Sequence, residues 1–421
     1  MTAAEKAIDA GERPVPNLQG SLLGPFRYRD FSLLWSGLIV GNLGTWIQFT
    51  ALGYYVARLA PNAGLGSFYI GLLGASRMIP VLLASPYAGV LADRYSRRPI
   101  LLSTNILTMI LAVILAATLL THTASLPVIL AISALQAATQ SFDAPARQSW
   151  VSILVPRELV GNAIGLNSFA FNTPAVAGPP LAGILIFAAG IAPCMIVNAV
   201  VKFAVVLALI FMRPSPPIST KRTPFWPAFI ESVRFIYMHS ALRWIYLMMI
   251  VTALSVRSYT FLLPAYSVHV LQTDARGLGV LMAASGIGAV VGALLIAAFN
   301  VRKRAVLWFV SGCTASLGVA VLGITDSVVW SSLVLGLVGL GTQSFVGSSN
   351  VLVQTLAPDE MRGRVVSVYS MITLGLVPGG ALVIGTIARF TDLRLVFIVA
   401  GLFCTAVGVW TFSVHPKLRA S

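Results

Sequence analysis

Charge is what this 421-residue chain has least of: 10% of its residues are Asp, Glu, Lys or Arg, against 57% hydrophobic residues and a mean hydropathy of +0.88. A soluble domain carries about a quarter of its residues as charges, so this composition excludes one and points to an integral membrane protein. Acids are the scarcer sign, with 13 Asp and Glu in all. The three cysteines, Cys194, Cys313 and Cys404, stand far apart in apolar runs, without the spacing of a disulfide framework or a metal site. The four histidines, His122, His239, His269 and His415, are equally scattered. There is no Walker A motif, which excludes direct ATP drive. No clustered carboxylates, histidines or activated nucleophile suggest an enzyme, and no cofactor or metal is expected. The first thirty residues have no apolar core of a signal peptide, so the N-terminus is expected in the cytoplasm.

Long apolar runs are what the chain does have. A bilayer core of roughly 30 Å takes about 20 helical residues, and runs of that order lie at about 31–57, 67–92, 99–121, 126–149, 161–189, 192–212, 242–268, 277–299, 304–324, 328–355, 364–388 and 394–413. The expected fold is all-α, with twelve membrane helices in two six-helix bundles, 31–212 and 241–414. Between them, 213–240 is a cytoplasmic linker that opens Arg213-Pro-Ser-Pro-Pro and continues as an amphipathic surface helix. Residues 1–30 and 415–421 form cytoplasmic tails.

With both ends inside, 21 of the 28 Lys and Arg residues fall on the inner side, four outside and three within spans. That asymmetry is the positive-inside bias. The net charge of +15 is thereby assigned to the cytoplasmic face and not to nucleic-acid binding. The halves also repeat. Thr139-Gln-Ser-Phe142 recurs as Thr342-Gln-Ser-Phe345, Leu154-Val-Pro-Arg-Glu158 matches Leu356-Ala-Pro-Asp-Glu360, and Gly178 and Gly183 fall opposite Gly380 and Gly385, at a separation of about 202. A parallel repeat of this kind relates two halves by an axis along the membrane normal.

The stretch Gly89-Val-Leu-Ala-Asp93-Arg94-Tyr-Ser-Arg97-Arg98 sits between the second and third runs. It resembles the signature loop of the major facilitator superfamily, with Ser96 at the usual small Gly. Gly44-Thr-Trp46-Ile-Gln48, Ser141-Phe-Asp143-Ala-Pro145-Ala-Arg147-Gln148, Asn162 to Ser168 and Gly178-Pro179 are similar to the enterobactin-exporter-like, or transmembrane secretion effector, branch. The resemblance implies export of small organic molecules, siderophore- or drug-like, across the bacterial inner membrane, with gate residues Gly89, Asp93, Arg94, Arg97, Arg98 and Arg364. Asp93 is expected to dock on the start of the eleventh span, near Arg364, when the transporter opens outward.

Twelve of the acids map to tails, loops or span ends; Asp143 alone lies inside a span, about 10 Å from the inner interface at 1.5 Å per residue. An intramembrane acid is a functional candidate by default, and Arg147 one turn on makes the pair the expected proton-coupling site. Arg77 and Arg257 are placed in the outer half, facing a vestibule or snorkelling to headgroups. Lys202 is placed in a lipid-facing sixth helix with a structural role. Asn42, Trp46, Gln48, Gln136, Gln140, Asn172, Tyr259 and Gln343 complete the expected polar, substrate-binding midplane. Gly286-Ile-Gly288-Ala-Val-Val-Gly292 mimics a dinucleotide loop but, inside an apolar span, reads as a close-packing stripe. The expected function is a monomeric, proton-coupled antiporter working by alternating access, whose partners are a small-molecule substrate, protons and the bilayer. The alternatives are a same-fold importer or facilitator, or a non-transporting membrane sensor.

Overall fold

The computed structural model describes residues 23–94, 96–151, 153–213, 225–298 and 304–414, excepting the side chains of 85–94, 225–228, 297, 298, Ala144, Ser149, Asp359, Glu360 and Leu374. Among them there are helices and no strand. Inside a bilayer each backbone N–H and C=O must find its partner within the segment, which an apolar run does by coiling. The long helices are α1 (Arg29–Leu59), α2 (Ala63–Arg94), α3 (Arg97–Leu120), α4 (Leu126–Val151), α5 (Val160–Ala189) and α6 (Ala192–Phe211). A shorter helix, α7 (Phe225–Met238), occupies the expected amphipathic linker. Then come α8 (Ser240–Ser255), α9 (Tyr259–Ala265), α10 (Ala275–Ala298), α11 (Arg304–Leu322), α12 (Val328–Leu356), α13 (Asp359–Ser370), α14 (Val377–Phe390) and α15 (Leu393–Val414).

Each expected span coincides with a helical segment to within a few residues. Ten segments are long and apolar enough to cross a membrane. The other two expected spans, α1 and α4, are helices of 31 and 26 residues with more polar side chains. Two spans are not uniform. A turn at 256–258 separates α8 from α9, and a π-helical turn, Tyr266–Val270, ends that segment. A second π-turn, Met371–Leu376, joins α13 to α14. Such turns release backbone groups from the regular ladder and recur at functional positions. Helix α5 contains Pro174, Pro179 and Pro180, each of which removes a donor from the ladder.

We call the face at which α1 begins and α15 ends the terminal face, and the opposite one the distal face. Helix α1 packs on α5 and α6, α2 on α4, and α3 on α4 and α6; later in the chain α12 packs on α10 and α11, and α11 on α15. Lipid tails are as apolar as leucine, so helices in a membrane associate through close van der Waals packing, which small residues permit. The stripe Gly286, Gly288 and Gly292 serves this purpose. Gly288 lies against the backbone of Gly336, Gly292 against Leu340 O, and Gly286 against Val176.

The same device joins the early and late helices near the distal face. An added Cβ would fall 2.8 Å from Ala388 O at Gly64, 2.8 Å from Leu382 Cα at Gly71, 2.9 Å from Pro378 O at Gly74 and 2.6 Å from Ala275 O at Gly183. Helices α2 and α14, and α5 and α10, therefore touch backbone to backbone. His269 Nε2, 2.8 Å from Ala57 O, adds a polar contact at the same level. Toward the terminal face a Cβ at Gly161, Gly165 or Gly363 would meet nothing within 4 Å, as would one at Gly190 on the distal side.

Candidate functional site

Below the distal contacts lies a cavity of about 320 Å³, within the size range of small-molecule sites. Helix α1 contributes Asn42, Thr45, Trp46 and Phe49; α3 contributes Thr104, Asn105 and Thr108; α4 contributes Gln140, Asp143 and Arg147. Arg77, Phe171 and Lys202 come from α2, α5 and α6, and Thr260 and Phe261 from α9. The aromatic wall is continuous. Trp46 and Phe49 meet edge to face at 5.5 Å, Phe49 and Phe261 at 5.3 Å, and the Arg77 guanidinium stands over the Phe49 ring at 5.6 Å. Gly178 lets this wall form, because a Cβ there would lie 2.5 Å from that of Trp46.

The polar end is organised around Asp143. Arg147 donates from Nε to Asp143 Oδ2 at 3.1 Å, one helical turn along. Oδ1 accepts from Asn105 Nδ2 at 3.0 Å and from Thr104 Oγ1 at 3.4 Å, both on α3. Charge-assisted bonds of this kind are the stronger class. A carboxylate held by one cation and two neutral donors can exchange its arginine for a proton without losing every partner. A smaller cleft between α1, α3 and α6, lined by Gly37, Gly41 and Leu209, adjoins this group, and Asn42, Asn105, Asp143, Arg147 and Lys202 border both spaces.

Of the expected substrate-binding and proton-coupling residues, Asn42, Trp46, Arg77, Gln140, Asp143 and Arg147 meet at the cavity. Gln48 and Gln136 lie behind its wall, buried, in a chain that runs from Asn198 Nδ2 to Gln48 Oε1 at 2.6 Å and from Gln48 Nε2 to Gln136 Oε1 at 2.7 Å. Asn172 is exposed and donates back to Ser168 O. Arg257, in the turn between α8 and α9, donates to Thr373 O at 3.3 Å in the π-turn facing it. Tyr259 shares a hydrogen bond with Ser285 at 2.6 Å. Gln343 is half-buried on α12. None of these six lines the cavity.

Lys202 corrects the sequence expectation. Instead of facing lipid, it lines the cavity, because α6 packs against α1 and α3 and turns this position between them. Thr104, Asn105 and Thr108 were missed as well, although their i, i+1, i+4 spacing marks a polar stripe on an otherwise apolar helix.

At the expected gate, the side chains of Gly89, Asp93 and Arg94 lie outside the described residues. Arg97 is 1% exposed. Arg98 donates from Nε to Leu209 O at 2.8 Å and from Nη2 to Ile210 O. It thereby satisfies last-turn carbonyls of α6 and puts a cation at that helix's negative end. Arg364, on α13, donates to Glu231 Oε2 of the linker helix at 2.7 Å.

Comparisons agree with this architecture. The chain is similar to a bacterial homologue of the human lysosomal transporter Spinster, solved in an inward-facing, unoccupied conformation, with a TM-score of 0.72 at 16% identity over 93% of this chain and 99% of the other. It also matches the nucleoside transporter NupG, with a TM-score of 0.65 at 13% identity over 90% and 98% of the two chains. These likenesses show the major facilitator fold. By sequence it is 24% identical to the staphyloferrin A transporter of Staphylococcus aureus, over 90% of this chain and 94% of the relative. The multidrug efflux pump Tap of Mycolicibacterium fortuitum is 23% identical over 92% and 95%. The model of the transmembrane secretion effector family matches residues 20–420, and the chain is a membrane transporter belonging to that family of the major facilitator superfamily.

Proposed function

We propose that the protein exports small organic molecules across the bacterial inner membrane by proton antiport, with residues 31–212 and 241–414 rocking as two bundles about the cavity. The observation that carries this reading is the Asp143–Arg147 pair in the wall of a cavity whose distal end is closed by helix contacts. An ionisable pair at that depth is costly to keep, and a carboxylate that releases its cation when protonated links proton uptake to a rearrangement between α3 and α4. The excess of Lys and Arg at the terminal face supports a cytoplasmic placement of that face. The state described here is then open toward the cytoplasm. The relatives, a siderophore transporter and a drug pump by name, support a small organic cargo.

The test uses everted membrane vesicles energised with a pH gradient and a panel of siderophores, dyes and antibiotics, following cargo uptake and dissipation of the gradient together. Asp143→Asn should abolish gradient-driven uptake and leave downhill exchange. Absence of any gradient-dependent flux would overturn the antiport reading, and retained proton movement in Asp143→Asn would remove Asp143 from the coupling step.

A further inference from the structure

Three cations and one carboxylate line the cavity: Arg77, Arg147, Lys202 and Asp143. Arg147 and Asp143 compensate one another. The cavity still holds an excess of two cations, although Lys202 also lies within electrostatic reach of Asp143. Arg77 has the ring of Phe49 as its neighbour, and Lys202 has neither a hydrogen bond nor an ion pair among the described residues. Lys202 also stands where the cavity meets the smaller cleft. Its Nζ lies beside Gly41, where an added Cβ would stand 3.7 Å away.

An excess of cations within the span of a bilayer is expensive and marks the path of charged cargo. An ammonium without a partner is a receptor for an anion, and a guanidinium with free donors accepts a carboxylate side-on. The rest of the lining, Trp46, Phe49, Phe171 and Phe261, fits an aromatic or aliphatic body. We infer that the cargo is an amphipathic organic anion, with a carboxylate or similar oxyanion on Lys202, its apolar body along Trp46, Phe49 and Phe261, and Arg77 receiving a second acidic or polar group. This rests on the transport reading for its meaning but not for its measurement.

Binding of three matched probes, 2-naphthoate, 2-naphthylmethanol and 2-naphthylmethylammonium, is measured by calorimetry on the full-length protein in detergent, without any gradient. Naphthoate should bind at least about tenfold more tightly than the ammonium probe. Lys202→Gln should weaken naphthoate about tenfold and leave the alcohol unchanged, Arg77→Gln should weaken it less, and Lys202→Glu should reverse the order of the charged probes. Thermal melting of each variant checks folding, and Lys202→Arg, which keeps the charge, should keep the anion preference. Equal or tighter binding of the ammonium probe would overturn the inference. So would an anion preference that survives both Lys202→Gln and Arg77→Gln, or failure of all three probes to bind below about 1 mM. Anion preference without proton-coupled flux would sink the antiport reading alone, and flux without the preference would sink this one alone.

Discussion

Asn105 on α3 donates its amide to Asp143 on α4 at 3.0 Å, so the acid is held from a neighbouring helix as well as from its own. Of its three bonds, those from Arg147 and Asn105 differ in kind. Arg147 is a charge that proton uptake at Asp143 would release, whereas Asn105 is a neutral donor whose bond survives it.

That difference predicts unequal costs. Removing one member of a buried ion pair strands the other charge. Here the side chains are 12% and 21% exposed, so water relieves part of the penalty, leaving about 1–3 kcal/mol for Arg147→Ala. Asn105→Leu should cost about 1–2 kcal/mol. The double variant Asp143→Ala with Arg147→Ala should melt closer to wild type than Arg147→Ala does. Thermal melts in detergent decide this, and a double variant less stable than either single one would contradict it.

The chain of amides behind the cavity wall makes a second prediction. Asn198 reaches Gln48 across α1 and α6 because Gly44 leaves space: a Cβ there would sit 2.9 Å from Asn198 Oδ1. Gln48 is the central link, so Gln48→Leu loses two hydrogen bonds where Gln136→Leu loses one. The expected costs are about 2–4 and about 1–2 kcal/mol. Gly44→Leu should resemble Gln48→Leu by pushing Asn198 away. Equal melting points for Gln48→Leu and Gln136→Leu would show that the chain is not cooperative.

A third prediction concerns the distal closure. A Cβ at Gly385 would collide with the backbone of Ser67, so Gly385→Val should hold α2 and α14 apart at that end. Phe261→Cys, in the cavity wall, should react with a membrane-impermeant thiol reagent only from the terminal face in the parent protein. Adding Gly385→Val should admit the reagent from the distal side as well. Unchanged one-sided labelling would mean that other contacts carry the seal.

The Arg364–Glu231 ion pair should matter little to stability. Both side chains are well exposed, at 37% and 60%, and such pairs contribute about 0–1 kcal/mol. A double-mutant cycle of Arg364→Gln and Glu231→Gln should return a coupling within that range that shrinks as salt is raised. A coupling above about 2 kcal/mol would assign the linker helix a structural grip on α13.

Most of the helical frame was legible because it is written in single-residue properties. The run expected at 126–149 is the helix Leu126–Val151, and that at 328–355 is Val328–Leu356. The Asp143–Arg147 pair was legible for a related reason, since partners four apart on one helix need no knowledge of the tertiary fold. Asn105 was not, because its bond crosses between helices. Lys202 was misplaced because the sixth helix was expected to face lipid, although Asn198 one turn earlier puts a second polar residue on the same face of Ala192–Phe211. The turn at 256–258 and the two π-turns left no mark on hydropathy, which registers how apolar a segment is and not how its backbone is hydrogen-bonded.

The distal closure has a mechanical consequence. Many of its contacts are glycine backbones resting on carbonyls, as at Gly64 with Ala388 and Gly183 with Ala275. At the glycines, parting the surfaces withdraws no interlocked side chain; the specific contacts to be broken there are His269 with Ala57 O, Arg276 over the Phe187 ring and Arg389 over the Phe68 ring. Between those points the seam behaves like two smooth rollers in contact, held by dispersion. In the alternating-access reading proposed above, the barrier would be divided between these few contacts and the charges in the cavity below them.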